Sequence, residues 1–152
     1  GNAVLSRVPI HSVQLHDISV NGREPRGAIE LSLQSNGIEL QIIATHLGLR
    51  PGERRRQVER LITLLDASTA DVKLLLGDLN EWFLWGRPLR RLHRVFGRTP
   101  APATFPARWP WFALDRFWVQ PLAVLDRLRV HNSAAASLAS DHLPLLAELY
   151  IR

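Results

Sequence analysis

The stretch Val72-Lys73-Leu74-Leu75-Leu76-Gly77-Asp78-Leu79-Asn80 begins as a short apolar run and ends in a carboxylate and an amide. Val72–Gly77 has the pattern of a strand covered on both faces. Polar residues just past such a strand lie where open α/β sheets place their sites. Asp78 and Asn80 are two residues apart, so in extended backbone both address one face. Upstream, a helix is predicted from about Glu53 to Asp66, with Val58, Leu61, Ile62 and Leu65 on one side and Arg54, Arg55 and Arg56 at its start. Before it, alternation and β-branched content predict strands near Ala3–Arg7, His11–Ile18, Ala28–Leu33 and Ile38–Thr45. The segment Asn21–Pro25 is turn-rich, and Ser35-Asn36-Gly37 reads as a tight hairpin.

Downstream, a second helix is predicted over Pro88–Phe96, with Leu89, Leu92 and Phe96 inward and Arg90, Arg91 and Arg94 outward. Thr99–Pro110 holds four prolines and is expected to be loop. Strands follow near Ala113–Val119, Ala123–Val130 and Leu143–Tyr150. Several strands with two interleaved helices and no internal repeat predict a layered α/β domain, one unit over residues 1–152.

Composition agrees with that class and narrows the chemistry. With 152 residues, 46% of them hydrophobic, the chain is long enough for a real core. No apolar run reaches the roughly 18 residues that span a bilayer. No basic n-region followed by an apolar stretch opens the chain, so no signal peptide is visible and a cytoplasmic location is favoured. The chain starts at Gly1 and contains no Met, which leads us to expect a processed product or a segment of something longer. The absence of Cys excludes disulfides, thiolate ligands and thiol catalysis. The net charge is +5, and every basic side chain except Lys73 is arginine. Arginine's planar fork suits phosphate, although a GC-rich coding sequence would also enrich Arg, Ala and Leu. Charge alone does not name a partner.

Four polar clusters close the predicted strands. They are Thr45-His46-Leu47, Gly77-Asp78-Leu79-Asn80, Leu114-Asp115 and Ser140-Asp141-His142. Each has an ordinary structural explanation: a strand-end His is commonly a hydrogen-bonding residue, and Asp141 or Asp115 could cap a turn or pair with an arginine. Together they supply two His, three Asp and one Asn, with no serine elbow. Such a set suits a hard divalent cation held by oxygens, with His handling protons and phosphate.

The order and spacing of Thr45-His46-Leu47-Gly48-Leu49, Gly77-Asp78-Leu79-Asn80-Glu81-Trp82, Leu114-Asp115 and Ser140-Asp141-His142-Leu143-Pro144 resemble the endonuclease/exonuclease/phosphatase family. Gly1–Ile10 resembles that family's mid-chain strand, and Thr104-Phe105-Pro106 a loop that precedes its Leu-Asp motif. The resemblance covers nearly the whole chain. It implies a DNase I-like α/β/β/α sandwich, here an incomplete C-terminal portion with a mainly antiparallel or mixed sheet and two principal helices. It also implies metal-dependent hydrolysis of phosphoesters with Mg²⁺ or Mn²⁺. His46 would bind the scissile phosphate, Asp115 would orient a histidine, and Asp78 would position water or join the metal site. Asn80 would hold a non-bridging oxygen, Asp141 would face the metal, and His142 would act as base or phosphate ligand. Arg26 would offer a further cation to the phosphate.

The family's N-terminal Asn and Glu, the latter a principal metal ligand, have no counterpart here, since Glu30 and Glu39 sit in strands that do not match. We therefore expect this chain alone to be a weak or inactive catalyst. An exposed inner sheet face would need cover, for which a homodimer is one solution. Arg87, Arg90, Arg91, Arg94 and Arg98 near Trp82, Phe83, Trp85, Trp109 and Trp111 suit a nucleic-acid strand or a phospholipid headgroup at a membrane surface. The same residues could equally be a solvated helix face and partial core. Two functions stand: a phosphoester hydrolase, or a non-catalytic binding or assembly module that keeps the scaffold.

Overall fold

A computed structural model describes residues 1–151. Five strands form one mixed sheet in chain order: β1 (Ile10–Asp17), β2 (Gly27–Ser35), β3 (Ile38–His46), β4 (Val72–Asp78) and β5 (Asp115–Gln120). Neighbours are antiparallel except β3 and β4, which are parallel. A parallel pair needs a crossover, and α1 (Pro51–Ala67) supplies it. A second helix, α2 (Arg87–Phe96), connects β4 to β5. Two further strands, β6 (Leu125–Val130) and β7 (Leu145–Leu149), make a separate antiparallel pair. Between them lies a short helix, α3 (Ala134–Ala139).

Local chemistry accounts for these elements. Asn36 (φ 53°) and Gly37 (φ 80°) make the two-residue turn between β2 and β3, since that turn needs two left-handed residues. Pro51 opens α1, where its missing N–H costs nothing. Val58, Leu61 and Leu65 of α1 are fully buried with Leu89, Leu92 and Phe96 of α2. They pack on Ile43, Leu75 and Trp118 from one face of the sheet. On the opposite face Leu33, Leu40, Val72, Leu74 and Val119 form a smaller cluster, joined by Leu125 and Leu149 from the second sheet.

Three expectations are corrected. Ala3–Arg7 is not a strand: the segment has no ladder partner, and Asn2 Nδ2 donates to Gly27 O at 3.1 Å. Alternation along a sequence cannot tell a paired strand from a lone extended segment. Ala123 and Val124 belong to a 3₁₀ turn ahead of β6, and the last strand starts at Leu145, after Pro144. To the two expected helices the structure adds α3, capped by Ser133 Oγ accepting from Ala136 N at 3.1 Å. Away from the helices, Val13 and Leu15 of β1 remain exposed. No described helix is long and apolar enough to cross a membrane.

Candidate active site

Strand register sets the core of the site. His46, the last residue of β3, is the direct partner of Asp78, the last residue of β4. Asp78 is in turn the partner of Asp115, the first residue of β5. Three ionisable side chains thus stand in one row across the ends of three adjacent strands. The ladder continues past the strands and holds the row in place: Leu47 N donates to Asp78 O, and Leu79 N to Leu114 O, both at 2.9 Å. Gly77 permits the close approach, because a Cβ there would collide with the Thr45 carbonyl and its φ is +137°.

The 104–112 loop and the turn before β7 complete the site. Asp115 Oδ2 accepts from Thr104 Oγ1 at 2.6 Å and from His142 Nδ1 at 2.7 Å. With Nδ1 committed to the carboxylate, His142 Nε2 faces Asp78 Oδ2 at 4.0 Å. His46 Nε2 lies 3.4 Å from the same oxygen. His46, Asp78, Asn80, Asp115, Asp141 and His142 line one open cavity of about 480 Å³, with Trp82, Phe105 and Leu114. Burial works against a charged His142, but the Asp115 hydrogen bond and the charges of Asp115, Asp78 and Asp141 outweigh it and raise its pKa above the usual 6.5.

Asn80 reaches the cavity differently from expectation. Strand alternation predicts it on the same face as Asp78, yet β4 ends at Asp78 and Asn80 is left-handed (φ 50°). It is fixed by Asn80 N donating to Asp78 Oδ1 and Asn80 Nδ2 to Leu47 O, each at 2.8 Å. Arg26 lies outside this cavity. It lines an adjacent hollow that also borders His46, and its Nη2 pairs with Glu24 at 2.7 Å.

Sequence reasoning missed the framework behind the site. The side chains of Arg54 and Glu81 are both buried and pair at 3.2 Å. Arg54 Nη1 also donates to Leu49 O at 2.5 Å. Gln57 Oε1 accepts from Gly48 N at 2.8 Å, and Gln57 Nε2 donates to Glu53 Oε1. Polar residues of the α1 first turns thereby tie the loop after His46 to the loop that carries Asn80. The available signal was faint: Glu53 and Gln57 are four apart, on one helical face. Thr104 was noted within its Thr-Phe-Pro loop, but its bond to Asp115 depends on a tertiary contact.

Oxygen donors of this kind suit a hard cation. Among the described residues, however, no group of three or more His, Cys, Asp or Glu is placed to hold a metal ion. Asp78 and Asp141 are therefore part of a ligand set at most.

The model of the endonuclease/exonuclease/phosphatase family matches residues 1–142. The chain belongs to the endonuclease/exonuclease/phosphatase family. It is 34% identical to the uncharacterized protein YbhP of Escherichia coli over 99% of its own length, and spans 63% of that relative. Among solved structures, it is similar to a conserved protein of unknown function from Enterococcus faecalis V583. That likeness has a TM-score of 0.79 and 17% identity, and covers 94% of this chain and 67% of that one. A mannosyl-6-phosphatase of Bacteroides thetaiotaomicron gives 0.73 and 14%, covering 94% and 67%. At these identities the likeness concerns the DNase I-like fold alone, the layered α/β class expected from the sequence.

Proposed function

We propose that this chain contributes the larger part of the active site of a phosphoester hydrolase, in an intact protein that uses Mg²⁺ or Mn²⁺. The observation that carries the reading is the 2.7 Å Asp115–His142 pair opening onto the same cavity as His46, Asp78, Asn80 and Asp141. A carboxylate that fixes one imidazole nitrogen leaves the other free to move a proton.

In the proposed reaction a water oxygen attacks phosphorus, a new P–O bond forms and the bond to the leaving oxygen breaks. His142 Nε2 takes the water proton while Asp115 stabilises the resulting imidazolium. His46 and Asn80 bind non-bridging phosphate oxygens, where charge accumulates. Asp78, between the two imidazoles, orients them and the water. A bound cation would neutralise phosphate charge, with Asp141 and Asp78 as its ligands from this chain. The donors present do not complete its coordination. Arg26, paired with Glu24, takes no part in this reaction.

Because the ligand set is partial, the chain alone is proposed to be weakly active or inactive. A second copy seated on the exposed face of β1 would cover Val13 and Leu15. The test is hydrolysis of bis-p-nitrophenyl phosphate by the full-length protein, with Mg²⁺ or Mn²⁺ and with chelator. Cation-dependent turnover supports the reading. Turnover indifferent to chelator would remove the cation from the reading, and no turnover in the full-length protein favours the non-catalytic binding module instead.

A further inference from the structure

Two loops beside the cavity expose an unusual run of apolar side chains. Trp82, Phe83, Leu84 and Trp85 follow one another, and Leu84 and Trp85 are 60% and 70% exposed. Across from them Trp109 and Trp111 are 76% and 77% exposed. The loops form one surface, since the ring of Trp82 meets that of Phe112 at 5.0 Å. That surface borders the site, because Trp82 also lines the cavity holding Asp115 and His142. Four of the chain's five tryptophans are here, and the fifth, Trp118, is fully buried in the core. A soluble surface does not ordinarily carry so many contiguous large apolar groups without a partner.

The chemistry of that partner can be read from the loops. The side chains of residues 82–85 carry no charge and no polar atom except the indole N–H groups. Tryptophan, leucine and phenylalanine together suit the boundary between lipid headgroups and acyl chains, where an indole is half wet and half apolar. Exposed Arg87 and Arg108 flank the loops, with no ion-pair partner among the described residues, and would meet anionic headgroups. Nucleic-acid stacking is served less well. Leu84 offers no ring, and Trp82 is already engaged in T-shaped contacts with Phe105 and Phe112.

We propose that the 82–85 and 109–112 loops dock on a phospholipid surface, bringing the Asp115–His142 cavity to a headgroup phosphoester. The substrate class rests on the hydrolase reading above, whereas the docking does not. The experiment measures tryptophan emission and co-sedimentation of the full chain with vesicles of equal phosphatidylcholine and phosphatidylglycerol, with pure phosphatidylcholine vesicles, and with a single-stranded oligonucleotide. The expected result is a blue shift and association with the mixed vesicles, weaker on pure phosphatidylcholine. Leu84→Glu with Trp111→Ala should lower vesicle affinity about tenfold or more, leaving the melting temperature unchanged. Arg87→Glu with Arg108→Glu should remove the preference for phosphatidylglycerol. Unchanged vesicle binding by the Leu84→Glu, Trp111→Ala protein would overturn the proposal. So would the absence of any emission shift, or oligonucleotide binding that is tighter than vesicle binding and lost in the same variant. Failure to hydrolyse bis-p-nitrophenyl phosphate would count against the hydrolase reading alone.

Discussion

Replacing Glu81 by Ala should unfold the protein at a distinctly lower temperature, although Glu81 touches no reacting group. Its carboxylate lies 3.2 Å from Arg54 Nε, and both side chains are almost fully buried. Removing one member of such a pair strands the other's charge, at a cost of about 3–5 kcal/mol. Arg54 keeps its bonds to the carbonyls of Leu49 and Gly48, so the lower end, about 3 kcal/mol, is expected. For a chain of this size that is a fall in Tm of about 6–12 °C, read by circular dichroism. Arg54→Met combined with Glu81→Leu removes both charges at similar volume and should recover most of the loss. A Glu81→Ala protein melting within about 2 °C of wild type, or a double variant no better than the single, would refute the reasoning.

Other consequences follow from the site. Asp115→Asn removes the charge that fixes His142 and should lower kcat of the full-length protein about 100-fold or more; an unchanged kcat would leave Asp115 without its proposed role. The raised pKa of His142 also carries a stability signature in metal-free buffer. A group whose folded pKa is raised stabilises the fold fully below its unfolded value, here 6.5, and loses that contribution as pH rises through the folded value. The stability gap between wild type and Asp115→Asn should therefore be widest just below pH 6.5 and shrink above it, as chemical denaturation at several pH values would show. Gly77→Ala forces a Cβ onto the Thr45 carbonyl at φ +137° and should cost at least about 2 kcal/mol; a neutral effect would mean β3 and β4 can separate.

What the sequence revealed, and what it did not, divides along physical lines. The Asn36-Gly37 turn, the apolar β4 and the inward faces of α1 and α2 were legible because their signals are local: a left-handed turn requirement, burial on both faces, a helical period. The order of the four strand-end clusters was legible too, and it led to the fold class. The lone segment around Ala3–Arg7 was misread because only a ladder partner, set by tertiary structure, separates it from a strand. Asn80 was assigned to the cavity on a premise of extended backbone that its left-handed conformation does not meet. The Arg54–Glu81 pair and the Thr104–Asp115 bond were invisible, since each joins residues of different elements, 27 and 11 positions apart, that only the tertiary fold brings together. The α3 helix did leave a local trace, Ser133 before an alanine-rich run.

The central claim is that the cavity around Asp115 and His142 hydrolyses phosphoesters. Its most direct test is the rate of bis-p-nitrophenyl phosphate hydrolysis by the full-length protein with Mg²⁺ or Mn²⁺, compared with His142→Ala and Asp141→Ala. The account predicts cation-dependent turnover that falls about 100-fold or more in His142→Ala and loses its cation response in Asp141→Ala. Turnover equal in all three proteins would place the chemistry elsewhere and contradict the account.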